Sequence, residues 1–119
     1  MEKTQRIKIL SCSGASNTGE YSDLIARKMD ASGDADMHCL AKIAIGDKKL
    51  IDNLKNEDVR IVVLDGCPIN CTEKILNREG ITQIHHLNTT DFGIIKGKTP
   101  ITEEKINEII RVCNPKGEL

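Results

Sequence analysis

Hydrophobic and polar positions along this chain switch repeatedly between a strand period and a helix period. Ile7, Ile9 and Leu10 within "RIKIL" (Arg6 to Leu10) mark a strand. "EYSDLIARKMDAS" then places Tyr21, Leu24, Ile25 and Met29 at helical spacing before Gly33 closes the run. "ADMHCLAKIAI" (Ala35 to Ile45) predicts a second, less strongly patterned strand, and Asp47 can cap a helix through Leu50, Ile51 and Leu54. The clearest strand is "RIVVLDG" (Arg60 to Gly66), because the unbroken run Ile61 to Leu64 suits a parallel strand buried on both faces. "TEKILNREG" predicts a short helix ending at Gly80, and "ITQIHHLNTT" a further strand. "TPITEEKINEIIRVC" predicts a helix with Thr102 as its N-cap and Glu103 and Glu104 at its positive end.

Strands that alternate with helices in this way predict a three-layer α/β fold. About four parallel strands would be joined by right-handed crossovers with helices on both faces, in a Rossmann-like or flavodoxin-like arrangement. The 119 residues suit a single domain, residues 1–119, large enough to bury a core without staples. No repeat, low-complexity segment or interdomain linker interrupts it, and "GIIKGKTP" (Gly93 to Pro100) is the one conspicuous loop.

This frame gives the cysteines a location. In open α/β sheets the working crevice lies beyond the carboxyl ends of the strands, beside the amino ends of the helices that follow. Cys12 falls just past the first strand, Cys39 within or at the end of the second, and Cys67 just past the third. The first strand is expected at the sheet centre, between the strands bearing Cys39 and Cys67. In "DGCPINC" (Asp65 to Cys71), Pro68 suits the first position of a helix; Cys67 would be its N-cap and Cys71 would lie one turn on, on the same face. Helix starts favour thiolates, and both "SGASNTGE" and "PINCTEK" would present one. Cysteine spacings of this size serve structural zinc sites, and four thiolates complete a tetrahedron around Zn²⁺.

Composition changes the picture in three ways. Charged residues make up 29% of the chain yet nearly cancel to −1, so no basic footprint for nucleic acid is present. One Phe, one Tyr and no Trp leave an aliphatic core without platforms for stacking bases. No apolar run approaches the ~18 residues of a membrane span, and the Ile7 to Leu10 stretch is too short for a signal sequence. These features predict a cytoplasmic protein without membrane or nucleic-acid partners. Thiols there stay reduced, so five cysteines point to metal, redox chemistry or core filling before disulfides.

The remaining candidates are plainer. Cys113 continues Ile106, Ile109 and Ile110 at helical spacing and reads as core filler. His38, His85 and His86 are expected to face solvent or to be satisfied core residues. "GASNTG" has the glycine spacing of a phosphate loop, but Glu20 and Tyr21 replace the required Lys and Ser/Thr, leaving a tight turn into a helix. Asp65 either ends its strand or orients the thiol site through a hydrogen bond, and Asp91 carries the same two readings.

"CSGASNTG" (Cys12 to Gly19), "HCLAKI" (His38 to Ile43) and "DGCPINC", in this order, resemble the DGC-domain family, named for its Asp-Gly-Cys motif. The resemblance runs from about Ile7 to about Ile95, where "NTTDFGIIK" is similar to the family's segment after the last strand. It implies a zinc-binding protein with Cys12, Cys39, Cys67 and Cys71 as metal-linked thiols, and it leaves Cys113 out. Lys42 and Ala44 depart from the glycine-rich turn expected after Cys39.

Two functions fit these residues. A filled four-cysteine site has no open position for an activated water, which suits a carrier, a sensor or a structural metal. Alternatively, Cys12 followed by "SGASNTG" resembles the phosphocysteine loop of sugar phosphotransferase components, with Cys12 as nucleophile. A thiol-redox protein or an iron–sulfur site could use the same cysteines. The metal ion is the sole partner the sequence suggests; it names no substrate.

Overall fold

A computed structural model describes residues 6–12, 14–55, 59–66 and 68–113. Strand β1 (Arg6–Ser11) leads into helix α1 (Asn17–Ser32), followed by β2 (Asp36–Met37), α2 (Leu40–Ala44) and α3 (Lys48–Leu54). Strand β3 (Val59–Asp65), α4 (Cys71–Arg78), β4 (His85–Asn88), a 3-10 turn at Thr89–Phe92 and α5 (Glu103–Cys113) follow in the described residues. The strands form one all-parallel sheet in the order β2-β1-β3-β4. The three-layer α/β expectation holds, including β1 in the interior between β2 and β3.

Side-chain alternation in the two interior strands explains the layers. Ile7, Ile9, Val62 and Leu64 face α1 and α5 and pack with Tyr21, Ile25, Met29, Ile106 and Ile109. Leu10, Ile61 and Val63 point to the other side and pack with Ile43, Leu50, Leu54 and Leu76 from α2, α3 and α4. Both faces are therefore apolar, as the run Ile61 to Leu64 requires.

The caps mostly follow the sequence. Ser16 caps α1 by accepting from the Gly19 N–H at 3.3 Å, and Asp47 caps α3 by accepting from Leu50 N–H at 3.2 Å. Thr102 Oγ1 accepts from Lys105 N–H at 3.2 Å at the start of α5. Two elements differ from expectation. The second strand is only Asp36–Met37, because Leu40 and Ile43, one helical turn apart, are drawn into the α2 layer. The helix after β3 begins at Cys71 instead of Pro68, because Asn70 adopts a left-handed conformation (φ 55°) that breaks the helical path before it.

Candidate functional site

The strand order reverses between β1 and β3. The connection leaving β1 goes to one neighbour, and the chain returns to the other side of β1 at β3, so a crevice opens at their carboxyl ends. Cys12 sits at this point. Its N–H continues the ladder by donating to the Leu64 carbonyl at 2.9 Å, and its own carbonyl accepts from Ser22 Oγ. Leu10 packs beneath α2 and α4, so strand alternation sends the half-buried Cys12 side chain to that same face.

Cys39 is the residue immediately before α2, exposed and making no capping hydrogen bond. Cys71 is the first residue of α4 and also exposed. Both helices lie on the face to which Cys12 points. Three of the predicted thiols thus share one edge and one face, and all three are free. Cys67 lies outside the described residues, and with it the reading of Cys67 as N-cap; the cap position of α4 belongs to Asn70. Among the described residues no three His, Cys, Asp or Glu side chains are gathered closely enough to hold a metal ion. The donor chemistry suits a soft metal, but these three thiols share an edge without forming a closed cluster.

The start of α4 is held by a residue the sequence left with two readings. Asp65 is 1% exposed, and its carboxylate accepts from Thr72 N–H at 2.8 Å and Glu73 N–H at 3.1 Å. It both ends β3 and caps α4 from outside the helix, which means that these two amides are not available to a thiolate. The same carboxylate lies 2.9 Å from His86 Nε2, and His86 Nδ1 is 3.9 Å from Glu73 Oε1. Asn70 makes no capping bond; its Oδ1 instead accepts from Asn88 Nδ2 at 2.7 Å. His86 and Asn88 are two apart on β4 and face α4 together, a role that alternation in "IHHLN" signals only once its pairing partner is known.

The other histidines correct the expectation. His38 and His85 are both half-buried, and in each the Nε2 atom is enclosed without a hydrogen-bond partner among the described residues. Burial, reinforced by the nearby Lys8, lowers the pKa of His38. Cys113 behaves as read: it is fully buried beside Ile109, and burial pushes its thiol up to about 12. Asp91 is exposed within the 3-10 turn.

Glycines bring the first and third motifs together. A Cβ on Gly19 would stand 2.7 Å from Gly14 N, and one on Gly66 would stand 2.7 Å from the Thr18 carbonyl oxygen. The turn into α1 and the Asp-Gly-Cys segment therefore touch through bare backbone. Asn17, the first residue of α1, also grips the late loop: its Nδ2 donates to the Ile95 and Thr99 carbonyls, and its Oδ1 accepts from Gly97 N–H at 2.7 Å.

The model of the DGC domain matches residues 8–113. The chain is 31% identical over 88 residues to the anaerobic and virulence modulator AnvM of Pseudomonas aeruginosa, covering 74% of this chain and 66% of that relative. No solved structure matches the chain significantly. Among the described residues no helix is long and apolar enough to cross a membrane.

Proposed function

The chain belongs to the DGC-domain family, and from that premise we propose that it is a small zinc-binding protein whose site is drawn from Cys12, Cys39, Cys67 and Cys71. One observation carries the reading: Cys12, Cys39 and Cys71, contributed by three separate strand-to-helix connections, occupy the same edge and face at the point where the strand order reverses. Chance burial of small residues does not require that convergence, and Cys113, the core cysteine, stands apart from it. Zn²⁺ bound there would neutralise thiolate charge and tie the three connections to one another. Drawing the thiols into a closed set is left to the segment that carries Cys39, since Cys12 is fixed on both sides of its peptide and the backbone around Cys71 is held through Asp65 and Asn88.

The fold has apolar layers and helix caps of its own at this edge. Both apolar layers are complete, and the starts of α1 and α4 are capped by Ser16 and Asp65 instead of by metal-bound groups. That favours a carrier or sensor over a structural zinc. The relative is named as a modulator, which agrees with a sensor better than with a catalyst. Elemental analysis of protein purified without added metal, with a visible spectrum, tests the reading. About one Zn²⁺ per chain is expected for a single four-cysteine site. Absence of any metal refutes it, and iron–sulfur absorption reassigns the site.

A second reading keeps Cys12 as a nucleophile. The observation in its favour is that Cys12, unlike the exposed Cys39 and Cys71, is half-buried, with both its N–H and its carbonyl hydrogen-bonded, in the turn that leads into the 16-residue helix α1.

A further inference from the structure

We propose that His86 and Asn88, on strand β4, are positioning residues for Cys71; the inference rests on the metal-site reading above. Three observations carry it. Cys71 opens α4, and the two residues after it donate their N–H groups to Asp65, at 2.8 and 3.1 Å. Asp65 is almost fully buried, and its carboxylate takes a third contact from His86 Nε2 at 2.9 Å. On the other flank, Asn70, the residue before Cys71, is held in its left-handed conformation while Asn88 Nδ2 donates to its Oδ1 at 2.7 Å.

Cys71 is thereby bracketed. The bond through Asn88 fixes the residue before it, and the bonds through Asp65 fix the two residues after it. Neither bracket uses a thiol, so Cys71 keeps its sulfur free while its backbone is set. His86 and Asn88 face this point because Val63 pairs with His86 and Asp65 with Asn88 in the β3–β4 register, which puts all four on the α4 side of the sheet. The geometry also orders the roles: His86 acts on Cys71 through Asp65, and Asn88 acts through Asn70. Neither is a ligand. His86 Nδ1 is directed towards Glu73, and no gathered donor set among the described residues includes it.

Outer residues that orient metal ligands typically contribute about 10–100-fold in affinity. His86→Leu removes the third contact to Asp65. Asn88→Asp removes the donor to Asn70 while keeping the acceptor that Thr90 N–H uses at 3.0 Å. Each should raise the zinc Kd by about tenfold or more, read by competition with a chromogenic chelator. His86→Gln, which retains a side-chain N–H, should recover most of the loss.

A second readout needs no metal. In stripped protein, each disruptive variant should raise the rate of Cys71 alkylation severalfold relative to Cys39, which belongs to the β2–α2 connection and is untouched by β4. Mass spectrometry resolves the two sites. Unchanged zinc affinity together with an unchanged Cys71 to Cys39 ratio would overturn the proposal, as would an equal rise at both thiols, which signals general loosening. Should the natural chain hold no zinc at all, the metal reading falls, while the labelling ratio still decides whether His86 and Asn88 hold Cys71.

Discussion

Gly66 and Gly19 meet with no room for a side chain between them: a Cβ on Gly66 would stand 2.8 Å from both the N and the Cα of Gly19. The middle residue of the Asp-Gly-Cys motif is therefore a packing surface for the start of α1. Through it, the end of β3 is pressed against the start of the helix that follows Cys12, and two motifs distant in sequence meet.

Substitution at this contact should be costly and selective. Gly66→Ala and Gly19→Ala both force backbone apart, and overpacking of this kind typically costs about 1–3 kcal/mol. Gly14→Ala places its Cβ at an ordinary 3.7 Å from Cys12 Sγ and should be tolerated. Urea unfolding of the three variants checks this; a Gly14→Ala loss equal to that of Gly66→Ala would contradict the contact.

Asp65 is expected to matter for stability more than any of the edge thiols. Asp65→Ala leaves the Thr72 and Glu73 N–H groups and His86 without their shared acceptor. Losing such a cap typically costs about 0.5–2 kcal/mol, and burial puts this one towards the upper end. Cys71→Ser, by contrast, exchanges an exposed atom and should leave the metal-free denaturation midpoint unchanged. Equal midpoints for Asp65→Ala and the natural chain would show that α4 is held by other means.

These two contacts mark how far the sequence could be read. β1, β3, α1 and α5 were legible because their burial is periodic and local. That Cys12, Cys39 and Cys71 each lie in a strand-to-helix connection at one edge of the sheet followed from the alternation of elements alone. The start of α4 was not legible: Pro68 is locally suited to open a helix, but Asp65 and Asn88 act from two strands and move the start to Cys71. β2 was overextended because Leu40 and Ile43 fit a strand by composition, whereas only Asp36 and Met37 pair with β1. The contact of Gly66 with Gly19 and the role of His86 leave no local pattern at all, since each depends on which strands become neighbours.

Acid should release one ionic contact at the β2 edge. Asp36 accepts from Arg6 Nη2 at 2.6 Å and from Lys8 Nζ at 2.9 Å, and these bonds, Arg6 first, hold its carboxyl far below the usual carboxylate range. A folded pKa depressed in this way gives stability that is present above the unfolded value near 3.9 and is lost as pH falls through the folded value. Asp36→Asn should therefore destabilise the protein slightly at pH 7, less so in high salt, and the difference should shrink progressively below pH 4. Paired thermal scans across pH 2–7 check this; a difference between the two proteins that stays flat over the whole range would show that the contact contributes nothing.

Cys113 should be silent until the protein unfolds. Burial pushes its thiol up to about 12 and seals it beside Ile109, so alkylation of native, metal-free protein at neutral pH should spare it while labelling Cys39 and Cys71. Cys113→Ser should leave zinc stoichiometry unchanged and cost stability, by about 1–3 kcal/mol for a hydroxyl placed in an apolar core. Rapid native labelling of Cys113, or loss of zinc in the serine variant, would remove it from the core and add it to the site.

Cys12 separates the carrier from the enzyme, because both readings claim it. As a ligand it should be protected from alkylation in zinc-loaded protein and react together with the other edge thiols once a chelator is added. As a nucleophile it should be the thiol that reacts fastest while zinc is present, and a site of three thiolates would keep an open position for chemistry. Protection is the expected outcome: β1 lies between β2 and β3, so Cys12 stands between the connections that carry Cys39 and Cys67, where a bound ion would need a central donor. Mass-spectrometric footprinting that finds Cys12 labelled first in the loaded protein would reverse the assignment, and Cys12→Ser would then abolish turnover while leaving zinc in place.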